Sequence, residues 1–119
     1  MSISDYRSTY KLRFPNAGQN VSKYLLFTDT GSLVIETEDY DRSYDERYTR
    51  IDPADTLKFL DAVGETDRRP EFWEGEPTPQ TKALLPRLIK QFSSTDDIFR
   101  CWKIIGISGH CLSGAATSN

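Results

Sequence analysis

Residues 33–50, LVIETEDYDRSYDERYTR, constrain the fold of this chain more than any other stretch. They begin as an apolar, strand-like run, Leu33-Val34-Ile35, and pass into an acidic ribbon. Six carboxylates follow: Glu36, Glu38, Asp39, Asp41, Asp45 and Glu46, with Arg42 the only base among them. Tyr40, Tyr44 and Tyr48 recur every four residues through the same ribbon. Like charges at this density repel, and they cost stability unless solvated or paired. Tyrosine brings a large apolar body with a polar tip, which suits interfaces. The ribbon is therefore a solvated hairpin with tyrosines half in the core, or a surface for a basic partner. Hard cations also take carboxylates, but the Asp-x-Asp-x-Asp-Gly spacing of a calcium loop is missing, and no metal is expected.

The rest of the chain reads as strands first and helices after. Tyr6, Ser8, Tyr10, Leu12 and Phe14 alternate with Arg7, Thr9, Lys11 and Arg13, the period of two of a strand with one buried and one cationic face. Pro15-Asn16-Ala17-Gly18 ends it with turn residues. Residues 21–28 are short and apolar, as in a central strand. Asp29-Thr30-Gly31 is a tight turn into a strand over 32–37. A turn at 40–43 leads to a fourth strand over 44–51, with Tyr44, Glu46, Tyr48 and Arg50 on one face and Asp45, Arg47, Thr49 and Ile51 on the other. Neither face is cleanly apolar, which predicts an edge strand whose charges discourage pairing.

The period then changes to that of a helix. Over 52–64, Asp52 is placed to cap, Pro53 takes the first helical position and Asp55 adds charge to the first turn. Leu57, Leu60 and Val63, with Phe59 beside them, mark the buried face, and Gly64 ends the element. Residues 65–79 read as a loop, with room for one helical turn at Phe72-Trp73. Thr78-Pro79 opens a helical region over 79–106, in which Leu84, Leu85, Leu88, Ile89 and Phe92 form a core face. Pro86 should kink it or mark its true start. Ser94-Thr95-Asp96-Asp97 signals a further helix carrying Ile98, Phe99, Trp102 and Ile105 and stopping at Gly106; a strand at 104–107 competes for part of it. Residues 107–119 are small and polar, a tail expected to fray. The fold class is α+β: an antiparallel four-stranded sheet over 4–51, then about three helices on one face, in a single domain.

Charge distribution narrows the function. The net charge of −3 hides an asymmetry. Residues 29–76 hold fifteen acids against six bases, whereas 1–28 and 77–119 are each basic by three. An acidic middle argues against nucleic acid as ligand, because phosphate binding needs a basic footprint. No apolar run approaches 18 residues, so no membrane span is expected. The start of the chain is too polar for a signal peptide. Cytoplasmic residence follows as the expectation, with Cys101 and Cys111 reduced and the acceptor-like Asn20-Val21-Ser22 without meaning.

No catalytic or cofactor motif stands out. Cys101, His110 and Cys111 do not have a zinc spacing. His110 and Cys111 are adjacent, a poor arrangement for a nucleophile pair held by a third group. Residues 106–109, Gly-Ile-Ser-Gly, lack the flanks of a phosphate loop. Glu36 and Glu38 share a strand face, so an acid-base pair is conceivable, but nothing nearby in sequence would set their pKa values apart. The expectation is a protein that is not an enzyme and carries no cofactor.

The candidate partner-binding residues are Glu36, Glu38, Asp39, Tyr40, Asp41, Tyr44, Asp45, Glu46 and Tyr48, with Phe72 and Trp73 as a second acidic-aromatic site. A small acidic α+β domain with this carboxylate-tyrosine surface resembles, in general build, the immunity proteins of bacterial toxin systems. That resemblance implies a one-to-one complex with a cognate protein toxin, often a basic nuclease. Acidic groups would stand in for phosphates and steer association, and tyrosines would supply the buried contacts. The alternatives are a small enzyme or small-molecule binder with a carboxylate-lined cleft, and a phage-encoded inhibitor using the same acidic surface.

Overall fold

The computed structural model describes residues 9–15, 17–40, 45–65, 70–73 and 76–113, with residues 72, 73 and 113 described by their backbone. The fold is α+β. Strands β1 (Lys11–Arg13), β2 (Val21–Phe27), β3 (Leu33–Asp39) and β4 (Asp45–Arg50) run as an antiparallel meander. Helices α1 (Pro53–Ala62), α2 (Pro79–Gln91) and α3 (Thr95–Ile104) follow. Between α1 and α2 the chain makes a separate two-stranded ribbon, β5 (Phe72–Trp73) and β6 (Glu76–Pro77). After α3 it returns to the sheet as β7 (His110–Ser113), antiparallel to β4, so the sheet has five strands in the order β1-β2-β3-β4-β7.

Three expectations are corrected here. The sheet has a fifth strand, because part of the presumed tail, His110–Ser113, is β7. The fourth strand is interior rather than an edge, since β3 and β7 flank it. The segment 65–79 contains strand at Phe72–Trp73, where a loop or a helical turn was expected. The choice between helix and strand at 96–107 resolves as helix to Ile104. The proposed turn at 41–43, the start of the first strand at 6–8 and the last six residues lie outside the described residues.

Local chemistry explains most boundaries. Thr28, Gly31 and Ser32 close the β2–β3 turn, with the Gly31 amide donating to the Thr28 carbonyl at 3.0 Å and the Thr28 amide to Ser32 at 2.8 Å. Gly31 sits there at φ +89°, a left-handed conformation that costs a side chain strain but costs glycine little. Thr78 accepts from the Thr81 amide at the start of α2, and Ser94 from the Asp97 amide at the start of α3, each at 3.3 Å. Pro86 stands inside α2, which runs through it without ending. Asp52 does occupy the N-cap position of α1, but its side chain makes no capping bond. Its carboxylate accepts from Arg50 at 3.0 Å instead.

One side of the sheet packs on the helices. Leu25, Phe27, Leu33, Ile35 and Ile51 meet Phe59 and Leu60 of α1, Leu84, Leu85 and Leu88 of α2, and Ile98 and Trp102 of α3. Trp102 meets Phe59 and Phe99 edge-on, at centroid distances of 6.0 and 5.4 Å, a preferred aromatic geometry. Thr56 fastens α1 to the sheet: its hydroxyl accepts from the Leu33 amide at 2.9 Å and donates to the Asp52 carbonyl at 3.0 Å. Thr81 does the same between α2 and the β5–β6 ribbon, exchanging bonds with both backbone groups of Glu71. The opposite side of the sheet is also buried, around Leu26, Val34 and Tyr48 with Leu112 against them. That second side carries the unusual chemistry. Among the described residues no helix is long and apolar enough to cross a membrane.

Candidate functional site

The second side of the sheet brings the acids together. In the β3–β4 register, Glu36 lies opposite Tyr48, Glu38 opposite Glu46, and Asp39 opposite Asp45. Two successive cross-strand pairs are therefore acid against acid, an arrangement that destabilises a sheet. Since side chains alternate along a strand, Glu36, Glu38, Glu46 and Tyr48 share one face, and Tyr24 lies opposite Glu36 from β2. Carboxylate oxygens of Glu36, Glu38 and Glu46 all come within 4.8 Å of one another. Glu36 and Glu46 are buried, at 0 and 1 % exposure, whereas Glu38 is half-buried.

Phenols and one amine organise this cluster. The Tyr48 hydroxyl donates to Glu46 Oε2. The Tyr40 hydroxyl donates to Glu38 Oε1 at 2.9 Å. Lys11 Nζ reaches in from β1 and donates to Glu36 Oε1 at 2.7 Å, lying 4.6 Å from the Tyr24 ring centroid as it does so. The other oxygen, Glu36 Oε2, is buried without a hydrogen-bond partner. Burial pushes the Glu36 carboxyl above its ordinary value; Lys11 opposes the shift, and Glu38 adds to it. Desolvation prevails over the ion pair because taking a carboxylate out of water costs more than one neighbouring charge returns. The Tyr40 phenol is pushed up to about 12, first because its proton is donated to Glu38. It remains a donor at neutral pH.

The sequence-derived candidates therefore divide. Glu36, Glu46 and Tyr48 are interior and line the cluster, so they present no surface to a partner. Glu38 and Asp39 are half-buried, and Tyr40 is 48 % exposed, at the end of β3. Asp45 is half-buried and paired with Arg47 at 3.0 Å. Asp41 and Tyr44 lie outside the described residues, as do the side chains of Phe72 and Trp73. The structure keeps together what the strand period placed together, Glu36 with Glu38 and Glu46 with Tyr48. It adds Lys11, from the cationic face of the first strand, and Tyr24; nothing in the sequence says which strands stand beside theirs. His110 approaches Asp52, at 3.6 Å, from an exposed position on β7; Cys111 is exposed and Cys101 partly buried, both as free thiols. Burial raises the Cys101 thiol above its ordinary value.

Comparison with protein-family models, curated proteins and solved structures finds no match for this chain.

Proposed function

We propose that this chain is a non-enzymatic protein-binding module, an immunity or inhibitor protein that neutralises a basic cognate toxin in the cytoplasm. The docking surface is the acidic corner at the end of β3, made by Asp39, Tyr40 and the outer side of Glu38, with Asp45 next to it. One observation carries the reading. Tyr40 is one of three large apolar side chains exposed among the described residues, and it stands within the acidic ribbon. Its ring offers an anchor for a partner. The surrounding carboxylates would favour a cationic partner and speed encounter.

The test is capture from a lysate of the source cells on immobilised protein. A Tyr40→Ala, Asp39→Lys double variant serves as the control surface. A basic protein should bind the wild type and elute as salt rises past the range where charge attraction is screened. It should be lost on the double variant, and its own activity should fall when the wild type is added back. Equal capture by both surfaces, or a captured protein whose activity is untouched, would sink the proposal.

A further inference from the structure

We propose that the outer edge of β1 is a docking site for an extended acidic segment of a partner protein, which joins the sheet there as a further strand. This surface lies apart from the acidic corner at the end of β3 and has the opposite charge. β1 stands at one end of the strand order. The Phe14 amide donates to the Lys23 carbonyl at 2.8 Å, which fixes the hydrogen-bonding phase of β1 against β2. Bonded and non-bonded pairs alternate along an antiparallel ladder. Phe14 and Leu12 therefore turn their backbone groups toward β2, and Lys11 and Arg13 turn theirs away from it. The outer edge offers an N–H and a C=O from each of those two residues.

The side chains along this edge set the charge of what can join it. Lys11 is committed to Glu36 on the second side of the sheet. Arg13 shares that side by alternation and is exposed. Among the described residues it forms no ion pair. On the helix side, Leu12 packs against the core. Tyr10, 42 % exposed, has Lys82 Nζ of α2 over its ring, 4.8 Å from the centroid. The edge thus carries a cation on each side of the sheet and an exposed ring beside one of them. In strand addition, main-chain bonds supply affinity and alternate side chains supply specificity. An added strand reaches both sides of the sheet, so carboxylates on both its faces match Arg13 and Lys82.

The same charges exclude a second copy as the occupant. β1 against β1 would set Lys11 and Arg13 of one chain across from those of the other, and like charges facing across strands destabilise the pair. Short length and cations are also how an edge is guarded against indiscriminate pairing. That guard works against neutral and basic strands and admits an acidic one. The first segment of the chain, basic by three within an acidic protein, is consistent with this. Two outward-facing residues make a small contact, so the complex is weak and reversible.

The test is an NMR titration of the isotope-labelled protein with a blocked nonapeptide, Glu-Glu-Thr-Val-Glu-Glu-Thr-Val-Glu, to about 2 mM, a range that reports complexes with Kd near about 1 mM. The expected result is saturable shifts centred on Lys11 and Arg13 and slowed hydrogen exchange of those two amides, with the Leu12 amide, bonded inside the sheet, changing less. The same peptide with lysine for glutamate should not bind. Arg13→Gln should weaken binding about two- to fivefold, the scale of an exposed ion pair. Arg13→Pro also removes the outward N–H but leaves the ladder to β2 intact, and should weaken binding a further two- to tenfold, about one hydrogen bond. Circular dichroism and melting curves check that both variants fold. An oligothymidylate of matched charge is the nucleic-acid arm and should not slow exchange of the Lys11 and Arg13 amides. The absence of saturable shifts in the wild type overturns the proposal, as does equal binding of the lysine peptide. Equal affinity of Arg13→Gln and Arg13→Pro, or oligothymidylate binding as tightly as the peptide, also overturns it, since charge alone then accounts for the contact without an added strand.

Discussion

Glu36 concentrates the conflict between sequence and solvent in a single residue. It is fully buried, faced by Lys11 from β1, Tyr24 from β2, Glu38 on its own strand, and Glu46 and Tyr48 from β4. Its pKa in the folded chain is raised above the ordinary 4.5. An acid raised in this way holds its proton more tightly folded than unfolded. The stability it contributes is therefore present below about 4.5 and is lost as pH climbs through the folded value. Glu36→Gln should melt higher than the wild type at pH 7. The gap should close as pH falls toward 4, read as the difference between paired melting curves. Lys11→Met should do the reverse: a loss of about 1–3 kcal/mol at pH 7, from a buried charged oxygen deprived of its donor, shrinking in acid as Glu36 protonates. Part of this was legible in the sequence. A period of two places Glu36 beside Glu38, and Glu46 beside Tyr48, on common faces. Which faces meet depends on the hairpin's register, and a slip of one residue exchanges Glu46 for Arg47 in the buried row. The residues around the turn do not decide that, and no sequence pattern reports that Lys11 will swing over Tyr24 to reach Glu36.

At the scale of elements, the sequence was most informative where backbone chemistry is local. The proline starts of α1 and α2, the Ser94 cap of α3 and the glycine after α1 and α3 follow from rules spanning four residues. It was least informative for β4 and β7. Asp45–Arg50 has no apolar face, and it still lies inside the sheet because Glu46 and Tyr48 satisfy each other when buried. His110–Ser113 is a short strand that pairs with a segment sixty residues earlier, and nothing local in it announces the partner. What admits β7 is Gly109. A Cβ there would stand 2.6 Å from the Thr49 Cγ2 methyl and 3.7 Å from Trp102 Cζ3, the first well inside contact distance. Thr49 is β-branched and stiff about χ1, so the methyl cannot easily turn aside. Gly109→Ala should cost about 1–3 kcal/mol by overpacking, measured as a lower urea midpoint. Thr49→Ser removes the methyl, so the double variant should cost less than the two single changes together. Strict additivity would show that the close approach does not govern the cost.

For the whole molecule, the return of the chain after the helices decides whether the sheet is finished. The meander of four strands would leave β4 with one side of its backbone unpaired and the second side of the sheet without Leu112. β7 supplies both: its residues pair with Arg47, Tyr48, Thr49 and Arg50, and Leu112 packs on the cluster of Leu26, Val34 and Tyr48. The charge plan is consistent with this. The basic first segment sends Lys11 into the acids of the middle segment, and the last segment sends a strand rather than a cation to cover β4. A chain ended at Gly109 should therefore lose more than a frayed tail would. Ladder bonds at roughly 0.5–1.5 kcal/mol each and a partly lost leucine contact worth about 1–2 kcal/mol predict a fall of about 2–4 kcal/mol in urea unfolding. Exposure of the β4 edge should make the shortened chain associate as its concentration rises, which sedimentation would detect. Lengthening the same chain to Ser113 should restore most of the midpoint, because that adds back the strand and Leu112. If the chains ending at Gly109 and at Ser113 unfold at the same urea concentration, β7 is not part of the cooperative sheet, and the closure of its second side must be sought elsewhere in the chain.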